Sequence, residues 1–150
     1  MFRTVSALSM SVELTTSFWN LPTDDEWSPA PILRKQANAL TRQTKGLLVG
    51  EILAGAPLVS KSKKPTLLKL TLAVRVPNLG DYRLDICKIG FFVHQKVIVV
   101  RDLIAKTQRS YKDIAGFEKA LQACLGSEEM GRILTGLMTA AKATVDSALT

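Results

Sequence analysis

Residues 66–100 leave the chain little choice of structure. In residues 66–76 the apolar side chains Leu68, Leu70, Leu72, Val74 and Val76 alternate with Lys69, Thr71, Ala73 and Arg75, the period-two pattern of a half-buried strand. The next five residues, Pro77-Asn78-Leu79-Gly80-Asp81, cannot continue a ladder. Proline has no N–H to donate, and asparagine and glycine accept positive φ. The chain must turn back. Tyr82, Leu84 and Ile86 then alternate with Arg83, Asp85 and Cys87, and Gly90 precedes a β-rich run at residues 91–100. This reads as three consecutive antiparallel strands, with one apolar face that the rest of the chain has to cover.

The net charge of +7 is unevenly placed. Residues 1–33 hold one cation and four acids, residues 34–112 sixteen cations and four acids, and residues 113–150 three cations and five acids. An acidic partner is therefore to be sought on the first helix and the sheet. The two cysteines, Cys87 and Cys124, form neither a disulfide framework nor a zinc-ligand spacing. Read as small apolar side chains, two free thiols fit a reducing compartment, and the expected location is cytoplasmic. No run approaches the ~20 apolar residues of a spanning helix. Residues 1–10 lack the pattern of a cleaved signal peptide, and Met10 is an alternative start to Met1.

Taken in order, residues 1–27 form an irregular lead-in and residues 28–150 a single domain. Phe18, Trp19 and Trp27 are expected to anchor the lead-in to the core or the sheet edge, around the solvated acids Asp24, Asp25 and Glu26. Ser28 and Pro29 signal a helix start, with serine at the N-cap and proline at the first helical position. The stripe Leu33, Ala37, Leu40 and Thr44 faces inward, the cations Arg34, Lys35, Arg42 and Lys45 face outward, and Gly46 ends the helix. Residues 47–54 read as the first strand, with Gly50 marking a bulge. Residues 55–65, with Lys61, Lys63 and Lys64, read as a hairpin tip, and residues 101–112 as an extended or helical linker. Asp113 caps a short helix that stops at Gly126. Ser127 caps a longer one carrying Met130, Ile133, Leu134, Leu137, Met138, Ala141 and Val145 at helical spacing.

The inventory for catalysis is thin. His94 is the only histidine, and no serine, cysteine or acid stands near it in sequence to complete a triad. There is no phosphate-binding glycine loop and no H-E-x-x-H, and neither cofactor nor metal is expected. Binding readings fit better. The leading one is a non-enzymatic protein-interaction or regulatory module whose basic sheet face meets a partner chain or a second copy. The alternative is a nucleic-acid binder using the sheet face, the first helix and the Lys-rich hairpin against phosphates. The candidates are Arg34, Lys35, Arg42, Lys45, Lys61, Lys63, Lys64, Lys69, Arg75 and Arg83, with Lys88 beside them in the nucleic-acid reading. The cations alternate with Thr71, Ala73 and Asp85 rather than with base-stacking aromatics, which favours the protein partner. An enzyme would need a site near Asp85 and His94, with Cys87 close by.

Three stretches carry a resemblance. They are Pro31-Ile32-Leu33-Arg34-Lys35-Gln36-Ala37-Asn38-Ala39-Leu40 with Thr44-Lys45-Gly46-Leu47-Leu48; Val76-Pro77-Asn78-Leu79-Gly80-Asp81-Tyr82-Arg83-Leu84; and residues 117–125 followed by Ser127-Glu128. Over residues 27–140 the chain resembles a group of small uncharacterised bacterial proteins built from a helix, a four-stranded meander and two C-terminal helices. The resemblance implies a fold and a bacterial source, and carries over no activity and no functional residue. The chain departs from that group in its longer, basic hairpin and its extended N-terminus.

The expectation is thus an α+β domain: a four-stranded antiparallel meander with one N-terminal and two C-terminal helices packed on one face. Leu68, Leu70, Leu72, Val74, Leu84 and Ile86 should meet Leu33, Leu40, Phe117, Leu121, Ile133, Leu137 and Met138.

Overall fold

The alternating run supplies, over Leu67–Val76, the second strand of a five-stranded antiparallel sheet in the computed structural model, which describes Phe18 and residues 28–55, 67–92 and 97–149. The elements are α1 (Ala30–Gln43), β1 (Val49–Ala54), β2 (Leu67–Val76), a 3₁₀ turn (Pro77–Leu79), β3 (Tyr82–Phe92), β4 (Ile98–Asp102), β5 (Thr107–Tyr111), α2 (Ile114–Leu125) and α3 (Glu128–Leu149). The strands pair in chain order from β1 to β5. The α+β class and the antiparallel sheet are as expected. The strand count is not: there are five strands, because the linker assigned to residues 101–112 contains the end of β4 and all of β5. Every residue of β5 except half-buried Tyr111 is exposed, so no apolar alternation marks it. Its hairpin is set by Asp102, whose Oδ1 accepts the N–H groups of Ile104 and Ala105 at 2.9 and 3.0 Å, and by Lys106 at φ +60°.

A second correction concerns β3. It runs unbroken through Gly90 to Phe92, so the break expected there is absent. The period changes instead at a β-bulge. Leu72 pairs with Cys87 while Ala73 pairs with Asp85, leaving Ile86 as the extra residue. Ile86 and Cys87 are both buried, at 2% and 0% exposure. Cys87 therefore faces the core, not the wet side. The parity inverts there, so that Cys87, Ile89 and Phe91 continue the inner face begun by Leu84 and Ile86. The carbonyl of Ile86 is taken up by the N–H of Leu103 at 3.0 Å.

The core forms between this face and the helices. Leu72, Val74, Val76, Ile86, Ile89, Ile98 and Val100 meet Leu33, Ala37, Phe117, Leu121, Met130 and Ala141 in one buried cluster, with Leu40, Leu70, Leu137 and Met138 packed against it. Leu68 and Leu84 share the inner face by register but are only half-buried, and half-buried Ile133 is outside the cluster. The helices do not make one joined roof. Helix α1 lies over β1 and β2, α2 over β4 and β5, and α3 runs from α2 to the 3₁₀ turn.

Helix α1 starts one residue later than the serine signal implied, with Pro29 in the capping position and Ser28 Oγ accepting the Ala30 N–H at 3.3 Å. Thr44 is its C-cap rather than a member of the apolar stripe. Gly50 is not a bulge. A Cβ there would lie 2.3 Å from the Ala37 carbonyl oxygen, so this position allows α1 to approach the sheet. The Gly50 N–H donates to Thr41 Oγ1 at 2.9 Å, capping the edge strand. The caps of α2 and α3 are the expected ones: Asp113 Oδ1 accepts from Gly116 N–H at 2.7 Å and Ser127 Oγ from Met130 N–H at 3.1 Å. Phe18 is 99% exposed and anchors nothing, contrary to expectation. Trp19, Trp27, the hairpin lysines, His94 and the Val145 side chain lie outside the described residues. No helix among the described residues is long and apolar enough to cross a membrane.

Candidate interaction surface

The outer face of the sheet, away from the helices, follows from the registers. Its rows across β1, β2 and β3 read Val49, Arg75, Arg83; then Glu51, Ala73, Asp85; then Leu53, Thr71, Lys88, with Arg101 and Gln108 continuing that row on β4 and β5. Lys69, Gly90, Val99 and Ser110 form the next row, and Leu67 faces Phe92 beyond it.

Charge on this face separates into two halves. In one half the arginines are matched by acids: Arg75 lies 3.3 Å from Glu51 and 3.0 Å from Asp81, and Arg83 lies 3.1 Å from Asp85. The hydrogen bond that Arg75 donates to Asp81 raises the pKa of this arginine, with Glu51 acting in the same sense, so it stays charged. Asp85 Oδ1 is buried without a hydrogen bond, and its contact with Arg83 is one of charge alone. In the other half Lys69, Lys88 and Arg101 are exposed and make no ion pair among the described residues. Lys88 and Arg101 stand directly opposite each other, a like-charge pairing that weakens a sheet. Half-buried Leu53, Leu67, Phe92 and Val99 lie around them.

The ten candidates therefore do not form one surface. Arg34, Lys35 and Arg42 are exposed on α1, which packs on the inner face, and Lys45 is exposed in the turn that follows it, so the thickness of the sheet separates the helix cations from Lys69. Arg75 and Arg83 are paired, Lys69 lies one row from Lys88 and Arg101 in the half of the face without ion pairs among the described residues, and Lys61, Lys63 and Lys64 are outside the described residues. Arg101 is not among the candidates, and Lys88 enters only in the nucleic-acid reading. Only the parity change at Ile86 and the extent of β4 put them beside Lys69, and neither can be read from local alternation.

The inner face holds two further features. A cleft of about 370 Å³ separates α1 from α2 and the start of α3. Leu72, Val74 and Ile86 form its floor, Leu40, Leu121 and Met130 its walls, and Gln36, Gln43, Glu118 and Gln122 its exposed rim. Elsewhere Cys87 stands opposite Asp102 on β4, and Cys124 of α2 comes against both. The Cys124 thiol is pushed well above its ordinary range, first by its hydrogen bond with Cys87, then by burial and by the Asp102 charge. Cys87 and Asp85 face opposite sides of the sheet, so they do not share a site. Among the described residues no group of three or more His, Cys, Asp or Glu side chains could hold a metal ion. No family model, curated protein or solved structure matches the chain.

Proposed function

We propose that this chain is a non-catalytic interaction module that docks an acidic segment of a partner protein on the outer face of its sheet, at Lys69, Lys88 and Arg101. The supporting observation is the pair Lys88 and Arg101, which has no ion pair among the described residues and is placed directly across two strands, while the described acids Glu51, Asp81 and Asp85 lie at the other end of that face. Carboxylates of a partner would relieve that repulsion, and the half-buried apolar residues alongside would meet its aliphatic carbons. A reducing, cytoplasmic setting fits the two thiols.

A second reading, single-stranded nucleic acid, draws on Phe92. It shares the outer face of β3 with Lys88 and Gly90 and offers a ring for stacking. It ranks second because one half-buried aromatic is a small platform.

Fluorescence anisotropy with a labelled poly-glutamate peptide and a labelled single-stranded RNA, at low and moderate salt, tests the proposal. Peptide binding should weaken as salt rises, and by roughly tenfold or more in Lys88→Glu, while Arg75→Gln changes it little. Preferential binding of the RNA would reverse the ranking. Loss of peptide binding in Arg75→Gln with none in Lys88→Glu would move the site off this row.

A further inference from the structure

Cys87 and Cys124 are remote in the chain, yet the fold brings both sulfurs together in the core, 0% and 6% exposed, with Asp102 as their ionisable neighbour. Cys87 is held inside both the β2–β3 and β3–β4 ladders. Cys124 belongs to a 12-residue helix that buries only Phe117 and Leu121 besides this cysteine, so the helix is the part that can adjust. We propose that Cys87 and Cys124 form a reversible disulfide that ties α2 to strand β3. The bond requires the two Cα atoms to settle within about 4.4–6.8 Å. Its effect is local: α2 forms one wall of the inner cleft, and the bridge fixes that wall against the floor.

The oxidant is a peroxide. The Cys124 thiolate, the sulfur with some access to solvent, attacks one peroxide oxygen; the O–O bond breaks and water leaves, giving a sulfenic acid. Cys87 then attacks that sulfur, the S–S bond forms, and the hydroxyl departs as a second water. Two thiols and one hydrogen peroxide become one disulfide and two waters, and two electrons pass from sulfur to oxygen. A small dithiol reverses the change by exchange. With Cys124 held protonated by its hydrogen bond with Cys87, by burial and by the Asp102 charge, the first step is slow near neutrality and faster as pH rises.

The full chain is treated with hydrogen peroxide, or separately with dithiothreitol, then unfolded in an alkylating agent and weighed intact. The peroxide-treated chain should remain monomeric, take up no alkyl group and weigh two hydrogens less, with the Cys87 and Cys124 peptides linked. Its melting temperature should rise by about 5 °C or more, as expected for a cross-link closing a loop of this kind, and dithiothreitol should restore both values. Two alkyl groups per chain after peroxide, sulfinic acid at either sulfur, or a disulfide found only between chains would overturn the proposal. Cys124→Ser and Cys87→Ala should each melt alike under both treatments. If either variant does not fold, the mass of the wild-type chain decides by itself.

Discussion

Above about pH 9 the folded chain keeps a proton at Cys124 that the unfolded chain gives up, because the Cys87 hydrogen bond, burial and Asp102 raise this thiol above its unfolded value of 9.0. The native state then binds more protons than the unfolded state, so the contribution is fully present below the unfolded pKa and is lost progressively as pH rises from there toward the folded pKa. The expected slope is about 1.4 kcal/mol per pH unit. Urea denaturation from about pH 8 to about pH 10.5, in dithiothreitol, should show wild type losing stability faster than Cys124→Ser by that slope. Parallel curves would mean the thiol is not held this way. Residue identity alone could not supply this. The two cysteines read as isolated apolar side chains, and their meeting with Asp102 depends on a bulge, a hairpin and a helix being assembled together.

Among the elements, those legible in the sequence are the ones that carry their own chemical punctuation. Asp113 and Ser127 cap α2 and α3 where their side chains reach the backbone N–H groups three residues on. Pro77, Gly80 and Asp81 form the turn between β2 and β3, with Gly80 and Asp81 at positive φ. Elements whose signal is tertiary were misread. Polar β5 has no buried face to impose alternation, and Gly50 looked like a strand irregularity because the helix that needs its missing side chain lies earlier in the chain. That contact is testable. Gly50→Ala must push α1 off β1 and should cost about 3 kcal/mol, because the colliding atoms are backbone atoms of Ala37. Gly55→Ala, whose added carbon would meet only the Lys69 side chain at 3.4 Å and backbone at 3.9 Å, should stay within about 0.5 kcal/mol in the same denaturation series.

For the whole molecule, the distribution of charge over the sheet matters more than its sum. Arg75 and Arg83 answer to acids of their own face, whereas Lys88 and Arg101 repel each other, so stability and binding should respond to Lys88→Glu in opposite directions. The variant should melt slightly higher than wild type at low salt, with the difference fading at ~0.5 M salt, where the Debye length falls to about 4 Å, even as acidic peptide binding is lost. A lower melting point at low salt would show that the pair is not repulsive. The alternating run, the breaking turn and the helix caps made the α+β class, the antiparallel pairing and most core residues readable without coordinates, because period and capping act between neighbours in the chain. Which cations share a face, which cysteine meets which, and where the helices leave a cleft were decided by the fold. One extra residue at Ile86 inverts every side chain after it in β3, and the partners of that strand, not its own sequence, set where the inversion falls.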